Sequence, residues 1–332
     1  MTAEASWPVF HGDFDNPHPL GKLPAPPSWR AFSERTPKRV RKTPKGSEDR
    51  RSRRTFTEDE KAVVNAAIFL RRPILVEGDP GTGKSTIAYA IAHELQLGPV
   101  LAWPVRSRTT IADGTYTYDA IGRLYEANRR KHHPDPQDAS APEDVPADRF
   151  IDLGPLGTAL YPHDKPRVLL IDELDKGDLD LPNDLLHVLE NGEFRIPELR
   201  REQAGKAGFS VGVEDGDDRV VVGSDGLVQC GANFPIIVIT SNRERDFPPA
   251  FKRRCLRLET RAPRDEALKN VLRAHGLDPD KAKALVAEFD ARLGSELLAT
   301  DQLLNAVYLS MKAKGAVDLD KAIEAATKSL DG

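Results

Sequence analysis

The sequence predicts an α/β protein: a parallel sheet flanked by helices, followed by an all-helical C-terminal domain. Three observations carry this expectation. The apolar run Ile74-Leu75-Val76 leads into the glycine-rich stretch Gly78–Ser85 and then into a helical pattern, with Ile87, Ala88, Ile91, Ala92 and Leu95 on one face. Two further apolar runs, Arg167–Glu173 and Phe234–Asn242, read as buried strands that end in polar residues. From Pro263 onward apolar residues recur three and four apart, and Gly276, Gly294 and Gly315 fall at the breaks.

The bounds are those of an ordinary water-soluble chain. Its 332 residues suit two domains, or one domain with additions. With 30% charged and 39% apolar residues the composition excludes the disordered and membrane classes. No apolar stretch approaches the length of a membrane span, and the N-terminus has no basic region followed by an apolar core, so no signal peptide is expected. Cys230 and Cys255 show neither disulfide nor metal spacing, which suits a reducing, cytoplasmic location. The net charge of −4 creates no global attraction to nucleic acid or membrane, yet residues 22–54 hold 12 Lys/Arg against 3 Asp/Glu.

In chain order, residues 1–55 read as a Pro-rich basic arm without periodicity. Such an arm suits a solvated segment that packs only Trp29 and Phe32 on the domain, a nucleic-acid contact, or a border to a nucleotide base. Thr57-Glu58-Asp59-Glu60 is a capping box that starts a helix running to Leu70. Pro99–Val105 reads as a strand, Thr109 onward as a loop, and a helix begins near Tyr118. Residues 129–149 form a polar, Pro-rich insertion whose His132 and His133 are expected to be solvated rather than metal-bound. Asp152–Leu160 reads as a turn and helix, Asp180–Glu190 as a helix, and Glu193–Glu198 as the start of a strand pair. Phe209–Gln229 alternates around Asp215-Gly216 and Asp225-Gly226, which predicts one or two projecting hairpins. The expected organisation is an arm (1–55), an α/β domain (56–262) with insertions at 129–149 and 207–231, and a helical lid (263–332) hinged near Ala262-Pro263.

Function is concentrated in five places. Gly78, Asp79, Pro80, Gly81, Thr82, Gly83, Lys84, Ser85 and Thr86 fit G-x-x-x-x-G-K-[ST] between strand and helix, the context in which backbone N–H groups cradle phosphates. Lys84 would reach the β- and γ-phosphates of ATP, and the Ser85 hydroxyl would ligate Mg²⁺. At the end of the 167–173 strand, Asp172 would hold Mg²⁺, and Glu173 would orient and deprotonate the attacking water. Asn242 ends the later strand and would contact that water or the γ-phosphate. Arg253 and Arg254, in Pro248–Cys255, would serve as a finger presented to a neighbour's γ-phosphate, Arg254 before Arg253. Arg245 reads equally as a second phosphate or interface contact and as a surface ion pair.

This set, Gly78–Ser85, Ile171-Asp172-Glu173, Asn242 and Arg253-Arg254-Cys255 followed by a helical lid, resembles an AAA+ ATPase over residues 57–330. Leu75–Lys84 and Leu170–Lys176 are similar to the MoxR-like branch, and Arg254-Cys255 is similar to the finger motif of clamp-loader ATPases. The resemblance implies a P-loop NTPase fold and Mg²⁺-dependent ATP hydrolysis. It also implies a homo-oligomeric ring, hexameric, and a protein partner to remodel or activate, often one with a von Willebrand A domain. The lid, the 109–118 loop and the 209–229 hairpins would be its moving parts. The family's lid arginine is missing: Leu298–Leu304 contains none, leaving Arg261 or Arg292 as substitutes. Two other classes stay open, a nucleic-acid motor or loader and a slow ATP-dependent assembly switch.

Overall fold

The structure, a computed structural model, describes residues 6–30, 40–45, 54–132, 145–202, 206–292, 299–312 and 319–328. Phe32, His133, Gly294, Leu298 and Gly315 lie outside the described residues.

Helix α1 (Glu58–Leu70) starts at the predicted box: the Thr57 hydroxyl accepts from Glu60 N–H, and the Glu60 carboxylate accepts from Thr57 N–H at 2.9 Å. Such a cap is worth about 1 kcal/mol. Next come β1 (Ile74–Glu77), α2 (Thr86–Glu94), β2 (Leu101–Pro104), α3 (Ile111–Thr115), β3 (Tyr116–Tyr118) and α4 (Ala120–His132). They are followed by β4 (Ile151–Leu153), α5 (Pro155–Leu160), β5 (Val168–Asp172), α6 (Leu181–Asn191), β6 (Glu193–Arg195) and α7 (Pro197–Arg201). The remainder is β7 (Gly208–Val213), β8 (Gly216–Gly223), β9 (Leu227–Gln229), β10 (Ile236–Ser241), α8 (Pro249–Lys252), β11 (Leu256–Glu259), α9 (Asp265–Ala274), α10 (Lys283–Arg292), α11 (Thr300–Lys312) and α12 (Leu319–Ala326).

The central sheet has the order β11-β1-β10-β5-β2, and every pairing is parallel. Its strands are continuous apolar runs rather than alternating ones because helices cover both faces. On one face Ile74, Val76, Val168, Leu170 and Val238 pack against α1 and α2 through Val64, Ile68, Ile87 and Ile91. On the other, Leu75, Leu169, Ile171, Ile237 and Ile239 meet Leu156, Leu160, Leu181 and Leu185 of α5 and α6. Cys230 and Cys255 lie in this second cluster, where burial pushes both thiols up to about 12. This order brings the C-terminal ends of β1, β10 and β5 side by side, which positions the site.

A second sheet, β3-β4-β7-β8, and the pair β6-β9 join β7, β8 and β9 of the 207–231 insertion to three short strands, β3, β4 and β6, that lie outside it. Asp215-Gly216 and Asp225-Gly226 form the expected turns, but neither projects. The Asp215 carboxylate is held by Arg167, whose side chain is 0% exposed, and by Arg41. The second turn is docked by a bond from Ile196 N–H to the Gly226 carbonyl at 2.9 Å. A buried carboxylate needs opposite charge and hydrogen bonds, and both arginines come from distant parts of the chain. These two turns are therefore anchors, not free levers on a substrate.

Four further expectations change. The 109–118 stretch is not a loop but α3 and β3, with its own capping box between Thr110 and Asp113. Residues 129–132 continue α4, and β4 precedes the 155–160 helix. β11 follows the finger region and pairs with β1; only Leu258 of its four residues is buried, so it carries little apolar signal. The described parts of the N-terminal segment are not a solvated arm. Val9 and Phe10 are buried, with their N–H groups donated to Asn65 Oδ1 at 2.7 and 2.9 Å. Trp29, the expected anchor, is 74% exposed.

After Pro263 the helices α9, α10 and α11 share a core that includes Leu268, Leu272, Phe289, Leu303 and Val307, and α12 lies against α11. Gly276, with φ +72, closes α9 in the left-handed region where only glycine fits without strain.

Candidate active site

The phosphate loop leaves β1 at Gly78 and enters α2 at Thr86. A Cβ at Gly78 would stand 2.4 Å from the Thr260 carbonyl oxygen, so the loop passes β11 closer than any side chain allows. Gly81 and Gly83 take φ +73 and +74, the left-handed conformations that turn successive N–H groups to one side. Thr82 Oγ1 donates to the Asp79 carbonyl at 2.8 Å and lies 2.9 Å from Thr260 Oγ1. Lys84, a residue 7% exposed, donates through its ammonium to the Gly78 and Asp79 carbonyls at 2.8 and 2.7 Å. Burial pulls its pKa down, and Asp175, Asp79, Asp172 and Glu173 oppose that pull. Lys84 is thus a buried cation held by neutral carbonyls of its own loop. Such a cation gains when an anion replaces them.

At the next strand end, Asp172 Oδ1 accepts from Ser85 Oγ at 2.6 Å and from Thr240 Oγ1 at 2.7 Å. Glu173 sits at φ 59, ψ 50, left-handed for a residue with a side chain. Strain of that kind costs about 1–3 kcal/mol and gathers at functional sites. A bond from Glu173 N–H to Thr240 Oγ1 at 2.8 Å sustains it. The Glu173 carboxylate accepts from Asn242 Nδ2 at 3.2 Å and from Lys176 Nζ at 2.8 Å. Partial burial would raise its pKa, but the bonds from Lys176 and Asn242 outweigh this and hold it below the ordinary carboxylate value. Glu173 is therefore ionised at neutral pH, the state a base requires.

Asn242 is placed by Asp175. Asp175 is 3% exposed, and its carboxylate accepts from the N–H groups of Asn242 and Glu244 at 2.8 and 3.1 Å through one oxygen. Asp175→Ala removes the partner of both part-buried donors, and a donor left unpaired away from water costs about 1–3 kcal/mol, which applies to Asn242 more than to the exposed Glu244. The expected result is a kcat lowered by about tenfold or more, with nucleotide affinity kept, since a displaced acceptor mainly degrades alignment of the reacting groups. Steady-state ATPase rates beside equilibrium binding check this, and an unchanged kcat would refute it.

Ser85 and Asp172 present hard oxygen donors 2.6 Å apart, the donor type Mg²⁺ takes. With the glycine cradle and the Lys84 cation, the residues present fit Mg²⁺ and a nucleotide phosphate.

The other predicted residues lie elsewhere. Arg254 pairs with Glu190 on α6 and donates to the Ala250 carbonyl at 3.2 Å; none of these partners belongs to the phosphate loop. The Arg253 side chain is exposed, and its carbonyl accepts from Arg72 at 3.1 Å. Arg245 donates to the Asp178 carbonyl at 2.9 Å and so braces the turn after β5. Arg292 turns away to the Thr327 carbonyl at 2.9 Å, and Arg261 is exposed. From the lid it is the backbone start of α11 that reaches the loop, since a Cβ on Gly81 would meet Ala299 Cβ at 2.3 Å and Thr300 N at 3.1 Å.

Sequence reasoning missed Thr240, Asp175, Thr260 and Arg54. Thr240 and Asp175 sit within two residues of motif positions, so the polar strand ends could have flagged them. Thr260 and Arg54 reach the loop only through the fold, and no local pattern marks them.

A parallel sheet with a glycine-rich phosphate cradle and paired acids at its C-terminal edge defines a P-loop nucleotide-binding protein. Residues 73–255, more than half of the chain, match the family model of the AAA domain (dynein-related subfamily), and the chain belongs to this family. That membership supports ATP binding and hydrolysis by an AAA+ protein. A search of curated proteins found no match to the sequence. No helix among the described residues is long and apolar enough to cross a membrane.

Proposed function

We propose that this chain is a Mg²⁺-dependent, MoxR-like AAA+ ATPase of the cytoplasm that works as a hexameric ring and remodels or activates a protein partner. The observation that carries the reading is the convergence of Lys84, Ser85, Asp172, Glu173 and Asn242 at one sheet edge. Lys84 exchanges its loop carbonyls for the β- and γ-phosphates. Ser85 and Asp172 hold Mg²⁺, which when bound neutralises phosphate charge. Glu173 orients the attacking water and takes its proton. Asn242 steadies the Glu173 carboxylate and the water beside it. The chain works as three units, 1–55, 56–262 and 263–332, and the described parts of the first strap the α/β domain.

Arg254 completes a neighbour's site. In support, α6 pins it through Glu190, and its contacts lie outside its own phosphate loop. A finger contributes about 10³–10⁵ in rate. Arg254→Ala subunits mixed with wild type should therefore lower the ATPase rate by more than dilution predicts. Proportional loss across a titration of mixing ratios would remove the ring reading.

Support for a partner-facing surface comes from α4, which exposes Ile121, Leu124 and Tyr125 on one face. The MoxR-like resemblance favours a von Willebrand A domain as that partner. A nucleic-acid role is weakened because Arg30, Arg41 and Arg54 of the basic segment are bound within the chain.

A further inference from the structure

The basic N-terminal segment delivers one guanidinium to the phosphate loop. Arg54 Nη1 donates to the Gly83 carbonyl at 2.6 Å and lies 3.4 Å from the Thr82 carbonyl oxygen. Its Nη2 pairs with Glu60, the carboxylate that also caps α1. The side chain is 12% exposed, and its guanidinium carbon stands 5.2 Å from the centroid of Phe56. Phe56 packs edge-on against the buried Phe10 at 5.0 Å. A Cβ on Gly83 would lie 3.4 Å from Arg54 Nη1 and 3.7 Å from Thr86 Oγ1, so Arg54 and the start of α2 flank the same side of Gly83.

Peptide planarity turns this contact into a statement about phosphate binding. In a trans peptide the C=O of one residue and the N–H of the next point in opposite directions. Holding the Gly83 carbonyl toward Arg54 therefore aims the Lys84 N–H to the other side, and the Thr82 carbonyl does the same for Gly83 N–H. Gly83 itself offers no resistance to a peptide flip, because glycine populates both signs of φ. Without an outside tether these two donors would lose their common direction.

We propose that Arg54 is a positioning residue of the nucleotide site. It fixes two peptide planes of the phosphate loop, so that the segment before α1 sets affinity for nucleoside di- and triphosphates. The proposal rests on the reading of residues 78–86 as the phosphate site. It concerns binding, not the chemical step, since no contact of Arg54 involves Asp172, Glu173 or Asn242.

The test is calorimetric titration of the full chain with MgADP, beside steady-state ATPase kinetics and thermal melting. Arg54→Ala should weaken MgADP binding about tenfold, the value of one charge-assisted hydrogen bond, and raise KM for ATP similarly while kcat changes less than about twofold. Arg54→Lys keeps the charge but spans fewer partners, and should lose about threefold. Arg41→Ala removes another cation of the same segment, paired with Asp215 rather than the loop, and should leave affinity within about twofold whatever it does to melting. Unchanged affinity in Arg54→Ala with the wild type binding normally would overturn the proposal alone. Equal losses in the Arg54 and Arg41 variants would also overturn it, by showing a general effect of stability. A wild type that binds no MgADP would overturn the phosphate-site reading as well. Should Arg54→Ala not fold, Arg54→Lys and Arg54→Gln carry the same comparison, and wild-type affinity in both refutes the role.

Discussion

Glu173→Gln subunits should bind ATP as tightly as wild type and hydrolyse it about 10²–10⁴-fold more slowly, the range a positioned base contributes. The substitution is chosen by the geometry. Glutamine keeps an oxygen for Asn242 Nδ2, which lies 3.2 Å from the present carboxylate, and it keeps the side-chain volume. It adopts the left-handed backbone at 173 no less readily than glutamate, and the Thr240 bond that sustains this conformation is to the main chain. What is lost is the negative charge that Lys176 and Asn242 stabilise, and with it the ability to accept a proton. Phosphate release and equilibrium binding, measured on the same preparation, separate the two effects. Turnover within tenfold of wild type would show that another group is the base. The arrested ATP state is also the one in which a protein partner should stay bound.

Lys84→Ala should weaken ATP and ADP binding by about a hundredfold, since hydrogen bonds to charged groups are worth about 1.5–3 kcal/mol. Wild-type Lys84 is buried and partly desolvated, and its two bonds go to neutral carbonyls. Exchanging these for phosphate oxygens returns the favourable charge interaction that burial withholds. Alanine also frees the buried Gly78 carbonyl and the carbonyl of the exposed Asp79, and an unpaired buried acceptor costs about 1–3 kcal/mol, so a thermal melt accompanies the titration to separate loss of fold from loss of binding. Titration with a fluorescent ADP derivative reads the loss. Wild-type affinity would end the assignment of residues 78–86 as a phosphate site.

How far the sequence reached depended on whether an element is specified locally. The capping box at Thr57, the apolar strands at 74–77, 168–172 and 236–241, and the glycine loop each declare themselves within a dozen residues, and all are present. Elements made by pairing were harder. β11 has four residues and one buried side chain, so its identity comes from lying beside β1. β3 and β4 have three residues each and become strands only because β4 joins β7 and β3 joins β4 in the second sheet. The hairpin turns were legible as turns, but their docking depends on Arg41 and Arg167, respectively 174 and 48 residues from Asp215. The same division holds in the site. Motif spacing singles out Lys84, Ser85, Asp172 and Glu173, and the fold brings them to one sheet edge. Asn242 was placed correctly at its strand end, yet the Asp175 bonds that hold its backbone were not anticipated. The N-terminal segment shows the limit most fully. Its charge suggested a solvated arm, whereas Phe10, Arg41 and Arg54 are bound to groups elsewhere in the chain.

The sequence by itself determined the fold class, the phosphate loop and the acids at the strand ends, because backbone period and motif spacing are short-range properties. Only the tertiary structure decided which strand lies beside which. It also decided that the insertion turns are anchors, that Arg245 braces a loop, and that a guanidinium from before α1 rests on Gly83. These are contacts between residues tens to hundreds of positions apart. Their partners are chosen by burial and charge pairing after the chain has closed on itself, and no local pattern encodes that choice.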